Sequence, residues 1–138
     1  KLEKYSTVID IEARVLADIA RNHIIPAALN YQNRLIENVK GLKEIFGDKE
    51  FKTLAKEQLE LISDISRNVS QIKVGVDELL AAKEKAKNTS GSQKQAEEYC
   101  NNVIPFFEVV RKASDALEMM VDDELWPMTK YRELLFTR

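Results

Sequence analysis

Apolar residues recur at alternating steps of four and three along residues 49–87: Phe51, Ala55, Gln58, Ile62, Ile65, Val69, Ile72, Val76 and Leu79. Only Gln58 interrupts this seam, and its period near 3.5 predicts a long amphipathic helix. Leu54, Leu59, Leu61 and Leu80 widen the apolar face, so more than one neighbour must pack on it. Asp48 is placed to cap the helix, with Glu50 in its first turn. Residues 93–122 repeat the pattern through Ala96, Tyr99, Val103, Phe106, Val110, Ala113, Leu117 and Met120. Ser92 and Gln95 have the spacing of a capping box. The polar stretch Asn88-Thr89-Ser90-Gly91 before them predicts a loop. Residues 7–46 form the first helix, with Val8, Ile11, Val15, Ile19, Ala28, Tyr31, Leu35, Val39, Leu42 and Phe46 as its stripe. Gly47 is expected to end it in the left-handed conformation of a helix end. So short a link makes helices one and two antiparallel neighbours. The expected fold is all-α: one domain over residues 1–138, an up-down-up bundle of three long helices, two with proline kinks, plus a short C-terminal helix.

Pro26 and Pro105 interrupt two of these helices. An interior proline loses a hydrogen bond and clashes with the carbonyl four residues back, at a cost of about 3 kcal/mol. The surroundings match: Asn22-His23-Ile24-Ile25-Pro26 and Asn101-Asn102-Val103-Ile104-Pro105. Continuous, kinked helices are favoured, because proline is the usual cause of a sharp kink. The alternative is that each proline ends one helix and starts another. Helices one and three run parallel in this topology, so two similar kinks are expected to bend together.

Residues 123–138 differ. Asp122-Asp123-Glu124 sets three carboxylates at a helix end, where the dipole disfavours them. Leu125-Trp126-Pro127 is expected to be extended, since the residue before proline avoids the helical region. Thr129 then caps a short helix, Lys130–Phe136. Trp126, Met128, Tyr131, Leu134, Leu135 and Phe136 make a dense apolar load that must dock on this bundle or on a partner.

Charge and composition narrow the partners. Lys and Arg number 21 against 23 Asp and Glu, a net charge of −2, which argues against a nucleic-acid interface. No run approaches the ~20 apolar residues of a membrane span. Cys100, the one cysteine, cannot form an internal disulfide and points to a reducing compartment. With one histidine, His23, a Cys/His zinc site is excluded. The chain opens on Lys1 rather than Met and is expected to be a piece of something longer.

Chemistry is sparse. His23 is the one acid–base candidate, on a long helix ahead of a proline, as in phosphoacceptor helices of sensor kinases. Those carry an acidic residue after the histidine and the proline five positions on; here Ile24 follows and Pro26 stands at plus three. A surface side chain beside the kink is the simpler reading. Asp122, Asp123 and Glu124 read as a solvated acidic end, near Lys130 or Arg132, rather than a magnesium site. Cys100 reads as a small buried residue, Met119-Met120 as core, and Gly75 as a point of close helix approach or merely tolerated. No phosphate loop, nucleophile elbow or zinc motif is present, so no catalytic or metal-ligating residue is assigned.

Two stretches carry a resemblance. Asp115-Ala116-Leu117-Glu118 followed by Val121–Phe136, with Trp126-Pro127 and Lys130-Tyr131-Arg132-Glu133, resembles the C-terminal end of type III glutamine synthetases. Ile11-Glu12-Ala13-Arg14, Ile25-Pro26-Ala27-Ala28 with Tyr31-Gln32, and Asn102-Val103-Ile104-Pro105 resemble further positions of that family. Thr129 departs from it, standing where proline is common. The resemblance implies a bacterial, cytoplasmic parent enzyme that joins ammonia to glutamate with ATP and magnesium and assembles as a double-ring homo-oligomer. It also implies that the catalytic barrel, metal ligands and nucleotide site lie upstream, outside this chain. The expected role is an accessory or assembly domain, without cofactor of its own. Its partners are the catalytic domain of the same polypeptide and neighbouring subunits. Trp126, Pro127, Tyr131, Arg132, Leu134, Leu135 and Phe136 form the expected docking surface. A free-standing interaction or phosphotransfer module using His23 is the alternative.

Overall fold

The computed structural model describes residues 1–122 and 124–126. All their regular elements are helical: α1 (Leu2–Ile19), α2 (Ile25–Ile45), α3 (Asp48–Leu54), α4 (Lys56–Lys87), α5 (Ser92–Glu98) and α6 (Ile104–Met120). Five-residue π-turns join α1 to α2 (Ala20–Ile24) and α5 to α6 (Tyr99–Val103). Three rods result.

The π-turns are how the helices pass their prolines. Each stops one residue short of the proline, which sits in the first turn of the next helix. The N–H groups of Ile25 and Ile104 reach back five residues, to the carbonyls of Ala20 and Tyr99. The wider turn carries the chain past a residue that has no N–H to donate. Asn22 donates to Asp18 at 2.6 Å and Asn102 to Glu98 at 2.7 Å, bracing both turns from outside.

Cross-rod bonds fix the topology. Asn38, Gln32, Arg21 and Asp10 on the first rod meet Gln58, Ser66, Asp77 and Lys83 on the second, in opposite order along the chain. Those two rods are therefore antiparallel. Asp10 and Arg34 meet Tyr99 and Asp122 in the same order, so the first and third rods are parallel. The π-turns do not lie side by side, however. Tyr99, opening the second, faces Asp10, ten residues before the first begins. The stagger is about 15 Å of helix, so the two prolines cannot bend together as expected.

The core runs through Ile65, Ile72, Val76 and Leu79 of α4, all fully buried, against Val110, Ala113 and Leu117 of α6. On the third rod Phe107, not Phe106, is the buried phenylalanine. On the first rod small residues hold the core positions: Ala13, Ala17, Ala20, Ala27 and Ala28. Val8, Ile11 and Val15, expected to face the core, lie on the opposite side and are 42%, 46% and 51% exposed. Alanine lets helices approach closely, and its weak hydropathy hides that role from a stripe of large residues. Gly75 does the same in α4: a Cβ there would meet Val110 Cγ2 at 3.0 Å and Val109 Cγ1 at 3.2 Å.

Three local expectations are corrected. Gly47 is extended (φ −69°, ψ 162°), not left-handed, and serves as the N-cap of α3 in place of Asp48. The expected single second helix breaks for one residue at Ala55 (φ −93°, ψ 1°), though Ala55 and Leu59 keep their i−4 bonds. No capping box forms at α5. Gly91, at φ +90°, caps it, Ser92 Oγ bonds Glu3 Oε1, and Gln95 Nε2 reaches the Lys87 carbonyl instead. The left-handed glycine turns the chain so sharply that both side chains bridge to other helices.

Candidate functional site

A polar centre lies where the three rods meet at one end of the bundle. Asp10 comes from α1, Lys83 from α4 and Tyr99 from the start of the second π-turn. Lys83 Nζ is 3.3 Å from Asp10 Oδ1 and 3.0 Å from Glu84 Oε1. The Tyr99 hydroxyl donates to the same Asp10 oxygen at 3.3 Å. Arg14, one turn on, lies 3.4 Å from Asp10 Oδ2. Burial pushes the Tyr99 hydroxyl up to about 12, and the Asp10 carboxylate beside it adds to the shift. One carboxylate thus satisfies a buried ammonium and a buried phenol, each from a different rod. The arrangement ties helices together. Lys83 stands four residues after Leu79 and seven after Val76, so it continues the seam of the second rod. A lysine on a buried seam demands an acidic partner, and that signal was present in the sequence.

A second polar tie spans the middle. The Gln32 amide, 9% exposed, donates to the Ile62 carbonyl at 2.9 Å and to Ser66 Oγ at 2.7 Å.

Of the expected docking residues, the structure places Trp126; Pro127, Tyr131, Arg132, Leu134, Leu135 and Phe136, with the expected last helix, lie outside the described residues. Trp126 is 8% exposed and packs in the bundle's own core. With Leu16, Ile19 and Ile24 of the first rod and Ser114 of α6 it lines a cleft of about 170 Å³. The chain reaches it through a turn, not the expected extended run. The N–H groups of Leu125 and Trp126 bond the Asp122 carbonyl, and that of Glu124 bonds the Asp122 side chain. Asp122 also lies 3.8 Å from Arg34. One of the three terminal carboxylates is therefore a turn former, its charge met from the first rod.

Pro26 and Pro105 stand just after the π-turns. His23 lies on the exposed side of the first π-turn, between Asn22 and buried Ile24. Cys100 is exposed, a correction: Tyr99 turns inward, and the next residue along a helical backbone points elsewhere. The Tyr5 hydroxyl rises above its ordinary range, first through burial and then through its contact with the Cys100 thiol. Met119 is 82% exposed, while Met120 packs against the core. Among the described residues no group of three His, Cys, Asp or Glu side chains could hold a metal ion. No helix among them is long and apolar enough to cross a membrane.

Comparison with known proteins supplies what the geometry alone does not. The family model of the glutamine synthetase C-terminal domain matches residues 1–43. Over 138 residues the chain is 46% identical to a glutamine synthetase of Bacteroides fragilis (strain YCH46), covering 100% of this chain and 19% of that protein. Over 136 residues it is 30% identical to the type-3 glutamine synthetase of Dictyostelium discoideum, covering 99% of this chain and 18% of that one. The chain spans about a fifth of the length of these curated relatives. Along its whole length the chain is similar to the C-terminal part of glutamine synthetases, one of them of type 3, and is the C-terminal helical domain of a glutamine synthetase-like protein.

Proposed function

We propose that this domain serves the assembly of a larger ligase rather than its chemistry. The parent reaction is the ATP-dependent joining of ammonia to glutamate, with magnesium, on the part of the polypeptide that precedes this domain. Its partners are that catalytic part and neighbouring subunits of a cytoplasmic homo-oligomer. Here His23 is a surface side chain of the first π-turn.

One observation supports an assembly role above the rest. The second half of α2, α3 and the start of α4 extend beyond the end of α6 as a two-helix arm. Between residues 33 and 64 only Ala55 is buried. Leu35, Val39, Leu42, Phe46, Phe51 and Ile62 are only half-covered, and Ile45, Leu54 and Leu59 are exposed. An arm so poor in core is weakly held by its own packing and gains stability by burying that surface elsewhere.

Pro127, Tyr131, Leu134, Leu135 and Phe136 carry the remaining apolar load and, with Arg132, are proposed to dock outside this bundle. Trp126 does not share that role, because the core already uses it. Truncation of the parent after Trp126, rather than before it, therefore separates docking from folding. The expected result is a smaller oligomer with reduced glutamine formation. Unchanged mass and activity would sink the docking role of the tail.

A further inference from the structure

Helix α1 is apolar on two opposite faces. Ala13 and Ala17 face the core, 0% and 4% exposed. Val8, Ile11 and Val15 follow the i, i+3, i+7 spacing of one stripe on the far side, and each keeps over two-fifths of its surface exposed. Single exposed apolar residues are ordinary, but three branched ones aligned on one stripe are not. A helix apolar on both sides is built to lie between two bodies. The bundle supplies one.

We propose that the outer face of α1 packs, in the full-length protein, against the part of the same polypeptide that precedes Lys1. This rests on reading the chain as the C-terminal domain of a longer enzyme. The curated relatives are about five times as long, and the matched part is their C-terminal end. The bulk of such a polypeptide therefore enters this domain at the start of α1. Val8 and Val15 lie only about 9 and 20 Å along the helix from Leu2, at 1.5 Å per residue. The stripe begins within two helical turns of the point where the incoming chain enters. Lys4 and Asp18 at its ends, and Glu12 and Arg14 along its flanks, give it a polar rim of mixed charge.

The test places the photo-crosslinking residue benzoylphenylalanine at position 11 of the full-length protein. The expected product is an intrachain crosslink to a residue before Lys1, running as a single chain under denaturing conditions. A crosslink into residues 127–138, a product of doubled mass, or no crosslink at all overturns the proposal. A second variant guards against local damage by the bulky probe. Val8→Gln, Ile11→Gln and Val15→Gln together retain good helix formers. They should speed tryptic cleavage after Lys1 and Lys4 of the full-length protein about tenfold, by opening the local structure. Unchanged cleavage counts against the contact. Deleting residues 1–138 tests the underlying reading separately. Loss of assembly without any crosslink at position 11 discards this contact alone, and intact assembly after the deletion discards the reading.

Discussion

The ammonium of Lys83 lies 3.3 Å from the carboxylate of Asp10 with the two side chains only 7% and 13% exposed. A pair this dry gains from attraction but loses hydration, so its net worth against apolar packing is small. Losing Asp10 is different, because it leaves the buried ammonium to the more exposed Glu84 alone and takes the acceptor from the Tyr99 hydroxyl. Asp10→Ala should cost about 3 kcal/mol or more in urea unfolding. Asp10→Leu combined with Lys83→Met should cost less than the two single changes summed. Additive losses would show that the pair is not coupled.

Tyr99 gives the same centre a pH signature. Its hydroxyl ionises near pH 10 in the unfolded chain and at about 12 in the folded one. The unfolded state thus releases its proton first. The contribution of Tyr99 is full below pH 10 and falls as pH rises from 10 towards 12. Tyr99→Phe should lack that fall. The stability difference between wild type and Tyr99→Phe, measured from pH 8 to 11, should shrink with pH, and a constant difference would refute this origin.

The glycines separate close packing from helix propensity. Both Gly41 and Gly75 are helical, and alanine is favoured in a helix by about 1 kcal/mol. Around Gly41 nothing lies within 4 Å of an added Cβ, so Gly41→Ala should stabilise by about 0.5–1 kcal/mol. At Gly75 the new methyl meets Val110 at 3.0 Å, and overpacking costs about 1–3 kcal/mol. Gly75→Ala should therefore destabilise by about 1 kcal/mol. Equal melting shifts for both variants would remove the close-approach argument.

Trp126 is predicted to matter to the bundle itself. Trp126→Ala should cost about 3 kcal/mol, as for a large aromatic lost from a core. The melting temperature of the 138-residue chain should fall, with no partner present. A melting curve unchanged by the substitution would mean that Trp126 contributes nothing to this fold.

Periodicity revealed the three rods because the second and third bury apolar residues at regular steps, from Ile65 to Leu79 and from Val103 to Leu117. It misassigned the face of α1 because that helix meets the core through alanines, while Val8, Ile11 and Val15 form the more conspicuous stripe. It flagged both prolines, yet the π-turns are a backbone adjustment that leaves no hydrophobic trace. Their stagger follows from three-dimensional register, which one strand of sequence does not encode locally. Lys83 was legible as a charge on the seam, but its partners Asp10 and Tyr99 are distant in the chain. Cys100 was misplaced because its neighbour Tyr99 is buried, and adjacent helical residues rarely share a face.

The most direct test of the assembly role is the mass of the full-length oligomer with and without residues 1–138, measured alongside glutamine formation. A smaller particle with reduced activity is the predicted result. An oligomer that loses only the mass of the deleted domains, keeps its subunit number and makes glutamine at the full rate would contradict it.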